Sequence, residues 1–306
     1  MKELRLALDW TPNINHLGFF VAKDLGYYED KGLSVELVSP AEDNYTLTPA
    51  KKVELGKCDL TLCPTESIIS YRTKKTPFNM FGIAAIYQRD LSAIVARSKG
   101  SEELSRPADL EGKRYASFQA RYEDSIVREL IRKDGAEGTF EIEYPPKLGI
   151  WNTLINGDFD ATWIFLNWEG ADKKLADPDL RLSYFKLEDF GIPYSYSPIL
   201  AASESLLTTN NEEALSEFVD ATRSGYLLAN EDPDKALNIL QKHVPASDSD
   251  IDLTKALELS LPAFGTRETW GNLDPKIIDT FLDWLEAKDL EPRRLKTEEI
   301  ITQKYL

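Results

Sequence analysis

Histidine and cysteine are scarce in this 306-residue chain, with two of each. Cys58 and Cys63 bracket "CDLTLC", which reads as one buried strand. Five residues of strand put them roughly 16 Å apart and on opposite faces, whereas a disulfide needs Cα atoms within about 7 Å. The two are not expected to pair. Two histidines and two badly spaced cysteines also argue against a zinc site, and no metal is expected. Cations are short as well: 36 Lys and Arg stand against 52 Asp and Glu, for a net charge of −16. That balance argues against nucleic acid and anionic membrane surfaces as partners. Long apolar runs are missing too. None approaches the ~20 residues that span a bilayer, so no direct membrane insertion is expected. The N-terminus lacks the pattern of a signal peptide, because Leu4, Leu6 and Leu8 alternate with Arg5, Ala7 and Asp9 in the manner of a strand. The expectation is a soluble protein, either cytoplasmic or periplasmic/extracellular with its signal peptide absent from this chain.

What is present is ordinary core material, 42% hydrophobic and 10% aromatic residues, in a chain long enough for two domains. Strand 4–9 leads to a helix over 16–24 that Gly26 stops, and then to strand 33–38. A helix, strand 58–62 and a second helix opening at the caps Thr65 and Ser67 follow. "FNMFGIAAIY" and "LSAIVAR" suit buried strands, and the strand–loop–helix theme recurs at "GKRYASFQARYEDSIVRELIRKDG" and "TLINGDFDATWIFLNWEGADKKLA". Helices over 211–229, 233–242, 252–260 and 274–288 dominate the tail. This alternation predicts α/β architecture with mostly parallel sheets flanked by helices. The polar connection "SKGSEELSRPADLEGKRYA" starts a second sheet, and the helical tail returns to the first domain. The expected division is 1–95 plus 198–306 for the first lobe and 96–197 for the second. A ligand would then bind between them at the carboxyl ends of the strands.

Five segments carry a resemblance: "LDWTPNINHLGFFVAKDLGYYEDKGLSVEL", "GKCDLTLCPTESIIS", "DLEGKRYASF", "GDFDATWIFLNWEG" and "GIPYSYSPIL". In order and content they resemble the superfamily containing thiamine-pyrimidine synthases and bacterial formylaminopyrimidine-binding proteins. The resemblance runs from residue 4 to about 290. It implies a two-lobed type II periplasmic-binding-protein-like fold, an aminopyrimidine or related heterocycle as ligand, and a link to thiamine biosynthesis or salvage. Its eukaryotic-type synthases use pyridoxal phosphate, a histidine of their own and iron. They carry a Lys and a His four residues apart in the segment matching "GKCDLTLCPTESIIS", and a Cys-rich run where this chain has "IPYSYSPIL". Here the matching positions are Cys63 and Ser67, and 191–200 contains no cysteine. A Schiff base needs a lysine amine. The resemblance therefore favours binding without chemistry and no cofactor. Pyridoxal phosphate and iron enter only if the chain is a divergent synthase making hydroxymethylpyrimidine phosphate.

An aminopyrimidine pocket needs flat faces and an acceptor for its amine. Trp10, just after the first strand, stacks on the ligand, wedges between the lobes or packs in the core. Asn13 is an N-cap or a ligand contact. His16 opens the helix, where imidazolium is disfavoured, and reads as a neutral hydrogen-bonding group toward ligand or protein. Glu66 and Ser67 open the helix after strand 58–62. Gln119, Arg121 and Tyr122 form the loop after strand 114–118, with Arg121 the candidate for a phosphate if the ligand carries one. Asn167 and Trp168 end the strand of "WIFLNWEG", and Glu169 accepts a pyrimidine amine or caps the next helix. Tyr194 and Tyr196, two apart, share a face if extended. His243 and the acidic run "DSDID" at 248–252 read as structural, the latter as helix initiation. A sulfonate or another small solute is the remaining ligand class, and an ABC transporter permease is a partner only if the protein is exported.

Overall fold

A computed structural model describes residues 1–208 and 210–306. Among the described residues ten strands follow one another as β1 (Lys2–Ala7), β2 (Leu33–Val38), β3 (Leu60–Cys63), β4 (Met80–Ala85), β5 (Ser92–Arg97), β6 (Arg114–Ala116), β7 (Glu141–Glu143), β8 (Ala161–Phe165), β9 (Leu182–Lys186) and β10 (Ile199–Ser203). They build two five-stranded sheets in two compact units. The first unit is Met1–Asp90, Ser195–Ser249 and Leu253–Leu306; the second is Leu91–Tyr194 with Asp250–Asp252. The division differs from the expected 95/96 and 197/198. All of β5 pairs with β8 and β9, and a strand paired along its whole length cannot be shared between two sheets.

In the first unit the order is β2-β1-β3-β10-β4. β1 is parallel to β2 and β3, while β10 runs antiparallel to β3 and β4, so four strands of five point the same way. β3 and β10 are buried at every position, as their unbroken apolar runs demand. Edge strand β2 alternates, with Leu33 and Val35 inward and Ser34 and Glu36 outward. Cys58 and Cys63 are both free, in keeping with their spacing. The helical tail packs here. Helix Leu17–Asp24 crosses helix Glu212–Glu231 at two glycines, and a Cβ on Gly225 would stand 2.0 Å from the carbonyl oxygen of Gly18. Around that crossing Tyr28 stacks on Phe218 and bonds Thr222 through its hydroxyl, while Phe19 meets Tyr226 edge-on. His243 stacks on Phe20 at 4.2 Å and sets Nε2 3.0 Å from Asp24, a structural placement.

In the second unit the order is β7-β6-β8-β5-β9, with β6 parallel to β7 and β8 and β5 antiparallel to both its neighbours. Helix Glu123–Lys133 buries Ile126, Val127, Leu130 and Ile131, one apolar stripe of a 3.6-residue period. The acidic run is not simply a helix start. Asp248 closes a 3₁₀ turn, and Asp250–Asp252 extends along 171–173 through Lys173 N–H to Asp250 O and Asp252 N–H to Ala171 O, 2.9 Å each. Backbone pairing with a distant segment outweighs local helix initiation there. The helix begins only at Leu253. Among the described residues no helix is long and apolar enough to cross a membrane.

The glycine crossing yields a prediction. Gly225→Ala forces the two helices apart and costs about 3 kcal/mol, which at this chain length lowers the melting temperature by roughly 6–12 °C. Gly149→Ala, at φ −106° with nothing within 4 Å of its Cβ position, should stay within about 0.5 kcal/mol by the same thermal melt.

Candidate functional site

The elbow begins where β1 ends at Ala7, two residues earlier than the sequence pattern suggests, so Asp9 lies outside the strand. Asn13 caps the single turn Ile14–His16, its Oδ1 accepting Asn15 N–H at 2.8 Å. His16 Nδ1 accepts Asn13 N–H at 3.2 Å, and its Nε2 lies 2.7 Å from Asp9 Oδ1. A backbone amide has a proton and no lone pair to offer, so Nδ1 must be bare and the ring proton sits on Nε2, donated to Asp9. The His16 side chain is 0% exposed and both nitrogens are used within the elbow. The expected role of His16 as a ligand contact is therefore corrected: it positions Asp9, whose side chain is 22% exposed and whose Oδ2 has no hydrogen-bond partner among the described residues.

Other loops meet the elbow at the same sheet edge, because β1, β3 and β4 end there and antiparallel β10 begins there. Tyr87, after β4, donates to Asn15 Oδ1 at 2.7 Å, and Tyr226 donates to Asn15 O. Thr11 donates to Asp248 at 3.1 Å, where burial pushes the carboxyl above its usual range. Half-buried Trp10 stands 6.1 Å from Tyr45, the ring planes tilted by 59°. After β3, helix Thr65–Thr73 has Pro64 at its cap position and no side-chain cap. Thr65 does not cap it because both its N–H and its hydroxyl donate to Tyr196 O, and the Ser67 N–H goes to Pro64 O. Glu66 is buried in the first turn and Ser67 is half-buried. The Cys63 thiol is pushed up by burial, and the nearby charges of Asp9 and Glu66 raise it further. A pair of carboxylates thus flanks the end of β3.

Tyr194 and Tyr196 belong to different units, and Tyr194 N–H bonds Ile192 O. Tyr196 is buried in the first, its hydroxyl accepting Asp274 N–H at 2.8 Å. Tyr194 meets Trp163 edge-on at 5.1 Å in the second. There the adjacent parallel strands β6 and β8 bring two candidate groups to one edge. Gln119, at φ +60°, and Arg121 are exposed; Arg121 Nε donates to the hydroxyl of buried Tyr122 at 3.2 Å. This loop is braced by the buried Glu123 carboxylate, which accepts from Tyr115, Phe118 N–H and Ala120 N–H and is held above its usual range by burial. After β8, Asn167 and Trp168 are buried, while Glu169 accepts Phe165 N–H at 2.9 Å.

A family model described as NMT1/THI5 like matches residues 13–236. The chain belongs to the NMT1/THI5-like family. A formylaminopyrimidine-binding protein of Halalkalibacterium halodurans is 24% identical over 297 residues, covering 94% of this chain and 86% of that protein. A 4-amino-5-hydroxymethyl-2-methylpyrimidine phosphate synthase of Legionella pneumophila is 20% identical over 245 residues, covering 80% and 74%. Among solved structures, an alkanesulfonate-binding protein of Xanthomonas axonopodis pv. citri, bound to MOPS, superposes with a TM-score of 0.73 at 16% identity over 99% of this chain and 98% of that one. That likeness shows the fold alone: this NMT1/THI5-like protein has the type II periplasmic-binding-protein-like fold. The donor set at Cys63 and Ser67, where the resemblance places the synthase pair, does not fit pyridoxal phosphate. Cys63 offers a buried thiol with a raised pKa and Ser67 a hydroxyl, neither of them an amine. Among the described residues no group of three or more His, Cys, Asp or Glu could hold a metal ion.

Sequence reasoning passed over Asp9, Tyr45 and Tyr87, and took Asp248 only as part of a helix start. For Asp9 a signal existed, a carboxylate directly after a strand and beside Trp10; the others meet the elbow only through the fold. The elbow geometry predicts that long-range ¹H–¹⁵N spectra will find His16 protonated at Nε2 and bare at Nδ1. His16→Phe should cost about 1–3 kcal/mol in chemical unfolding, because it strands the buried Asn13 amide.

Proposed function

We propose that this protein is a solute-binding protein for a thiamine-related aminopyrimidine, of the hydroxymethylpyrimidine or formylaminopyrimidine type, which it holds without chemical change. The observation that carries the reading is the Asp9–Trp10 pair at the carboxyl edge of the first sheet, a carboxylate with a free oxygen beside a half-buried indole. An exocyclic amine requires an acceptor and a flat ring requires a face, and these two side chains supply both. Glu66 adds a second carboxylate near the end of β3. Such an edge repels a sulfonate, which seeks N–H donors and guanidinium groups. The named pyrimidine-binding relative supports the same ligand class. Trp10, Asn13, Glu66 and Ser67 of the first unit belong to this reading as ligand-lining residues. No cofactor is part of it, and a membrane permease is its partner if the protein is exported.

Calorimetry and thermal shift with hydroxymethylpyrimidine, its formylamino analogue and MOPS test it. Both pyrimidines should bind and raise the melting temperature, by the equivalent of about 2.7 kcal/mol at 100 times Kd, while MOPS leaves it unchanged. Binding of MOPS with neither pyrimidine bound would sink the reading. Asp9→Asn retains an acceptor for His16 Nε2–H but removes the charge, and should weaken pyrimidine binding roughly tenfold or more with little change in melting temperature.

A further inference from the structure

Four described residues other than glycine have positive φ: Asn44, Tyr45, Gln119 and Asp289. Asn and Asp accept left-handed backbone readily, because their short side chains bond locally. Tyr45, at φ +60°, is the bulkiest of the four and the most strained for its type. The loop after β2 holds it there. Ser39 and Glu42 close a capping box, Asn44 N–H bonds Ala41 O at 3.1 Å, and Tyr45 N–H bonds Pro40 O at 2.9 Å. Just beyond, Thr46 Oγ1 donates to Asp43 O at 2.8 Å, and the carboxylate of Asp43 pairs with buried Lys52. A glycine at position 45 would close this loop without strain. What the tyrosine adds is its ring.

That ring is placed beside the elbow. The loops carrying Tyr45 and Trp10 follow β2 and β1, neighbouring parallel strands, so both lie at the carboxyl edge of one sheet. Their planes, 59° apart with centroids at 6.1 Å, make a corner rather than a closed stack. Tyr45 is half-buried, and its hydroxyl is held above its usual range by burial and by Asp248, the same carboxylate that takes the Thr11 hydroxyl. We propose that Tyr45 is a specificity-determining residue: with Trp10 it forms an aromatic corner at the carboxyl edge of the first sheet, against which the flat ring of the ligand stacks. The strain at Tyr45 is retained because it aims the ring. This rests on the reading of the protein as a binder of a flat heterocycle.

The test uses the whole chain, with Tyr45→Asn and Tyr45→Gly to remove the ring while suiting left-handed backbone, and Tyr45→Phe to keep it. Each is melted, then titrated calorimetrically with hydroxymethylpyrimidine. The Asn and Gly variants should melt at or above the wild-type temperature and bind roughly five- to tenfold more weakly, while Phe stays within about twofold. Wild-type affinity in the Asn and Gly variants overturns the proposal and leaves the function intact. Should the wild type bind thiamine, nicotinamide or adenine instead of the pyrimidine, the proposed function fails and the same variants decide Tyr45 on that ring. Binding of no ring in this set overturns both.

Discussion

A single imidazole sets the shape of the first unit's edge. His16 receives the Asn13 amide on one nitrogen and gives its own proton to Asp9 from the other, so the chain between positions 9 and 16 is closed into a rigid loop. Without any exposed surface, the ring exchanges neither bond with water, and a buried amide left unmatched is costly. Everything else at the edge leans on this closure. Asn15, oriented by the same turn, receives both Tyr87 and Tyr226. Thr11 reaches Asp248, and Trp10 is delivered to Tyr45.

The sheets explain why so many loops converge there. A parallel sheet sends its connections from the carboxyl ends of the strands into helices. Here one antiparallel strand, β10, also starts at that end, so residues 195–198 join the loops after β1, β3 and β4. Tyr196 uses this position to brace the structure, accepting Asp274 N–H through its hydroxyl and Thr65 N–H through its carbonyl. Exposed and bracing side chains are thus neighbours on one edge. Asp9 and Trp10 face outward in part, while His16, Asn15 and Tyr196 are spent inside.

Local periodicity made the strands and helices legible. β2 and the helix Glu123–Lys133 show their 2.0 and 3.6 repeats directly, and buried β3 and β10 show as apolar runs. Where the reading went astray, a distant partner had decided the outcome. Thr65 looks like a cap until Tyr196, 131 residues on, takes its hydroxyl. The acidic run at 248–252 looks like a helix start until 171–173 pairs with it. His16 looked available because nothing in its neighbourhood announces that both nitrogens are filled three residues before and seven residues before. The proposed ligand class rests on family resemblance, because no spacing in the chain encodes it.

The crossing of Gly18 with Gly225 bears on how the chain comes into being. Residue 15 acquires its Tyr226 bond, and helix Leu17–Asp24 its seat, only from a segment made more than two hundred residues later. The second unit is nearly continuous, from Leu91 to Tyr194, and needs only Asp250–Asp252 from further on. In order of synthesis, the main segment of the second unit is therefore made before the last pieces of the first. The opening strands must wait in an unfinished sheet until β10, at Ile199–Ser203, emerges behind that segment. During that wait the apolar edge of β3 has no partner on one side, and this is the interval in which the growing chain has most need of protection from its neighbours.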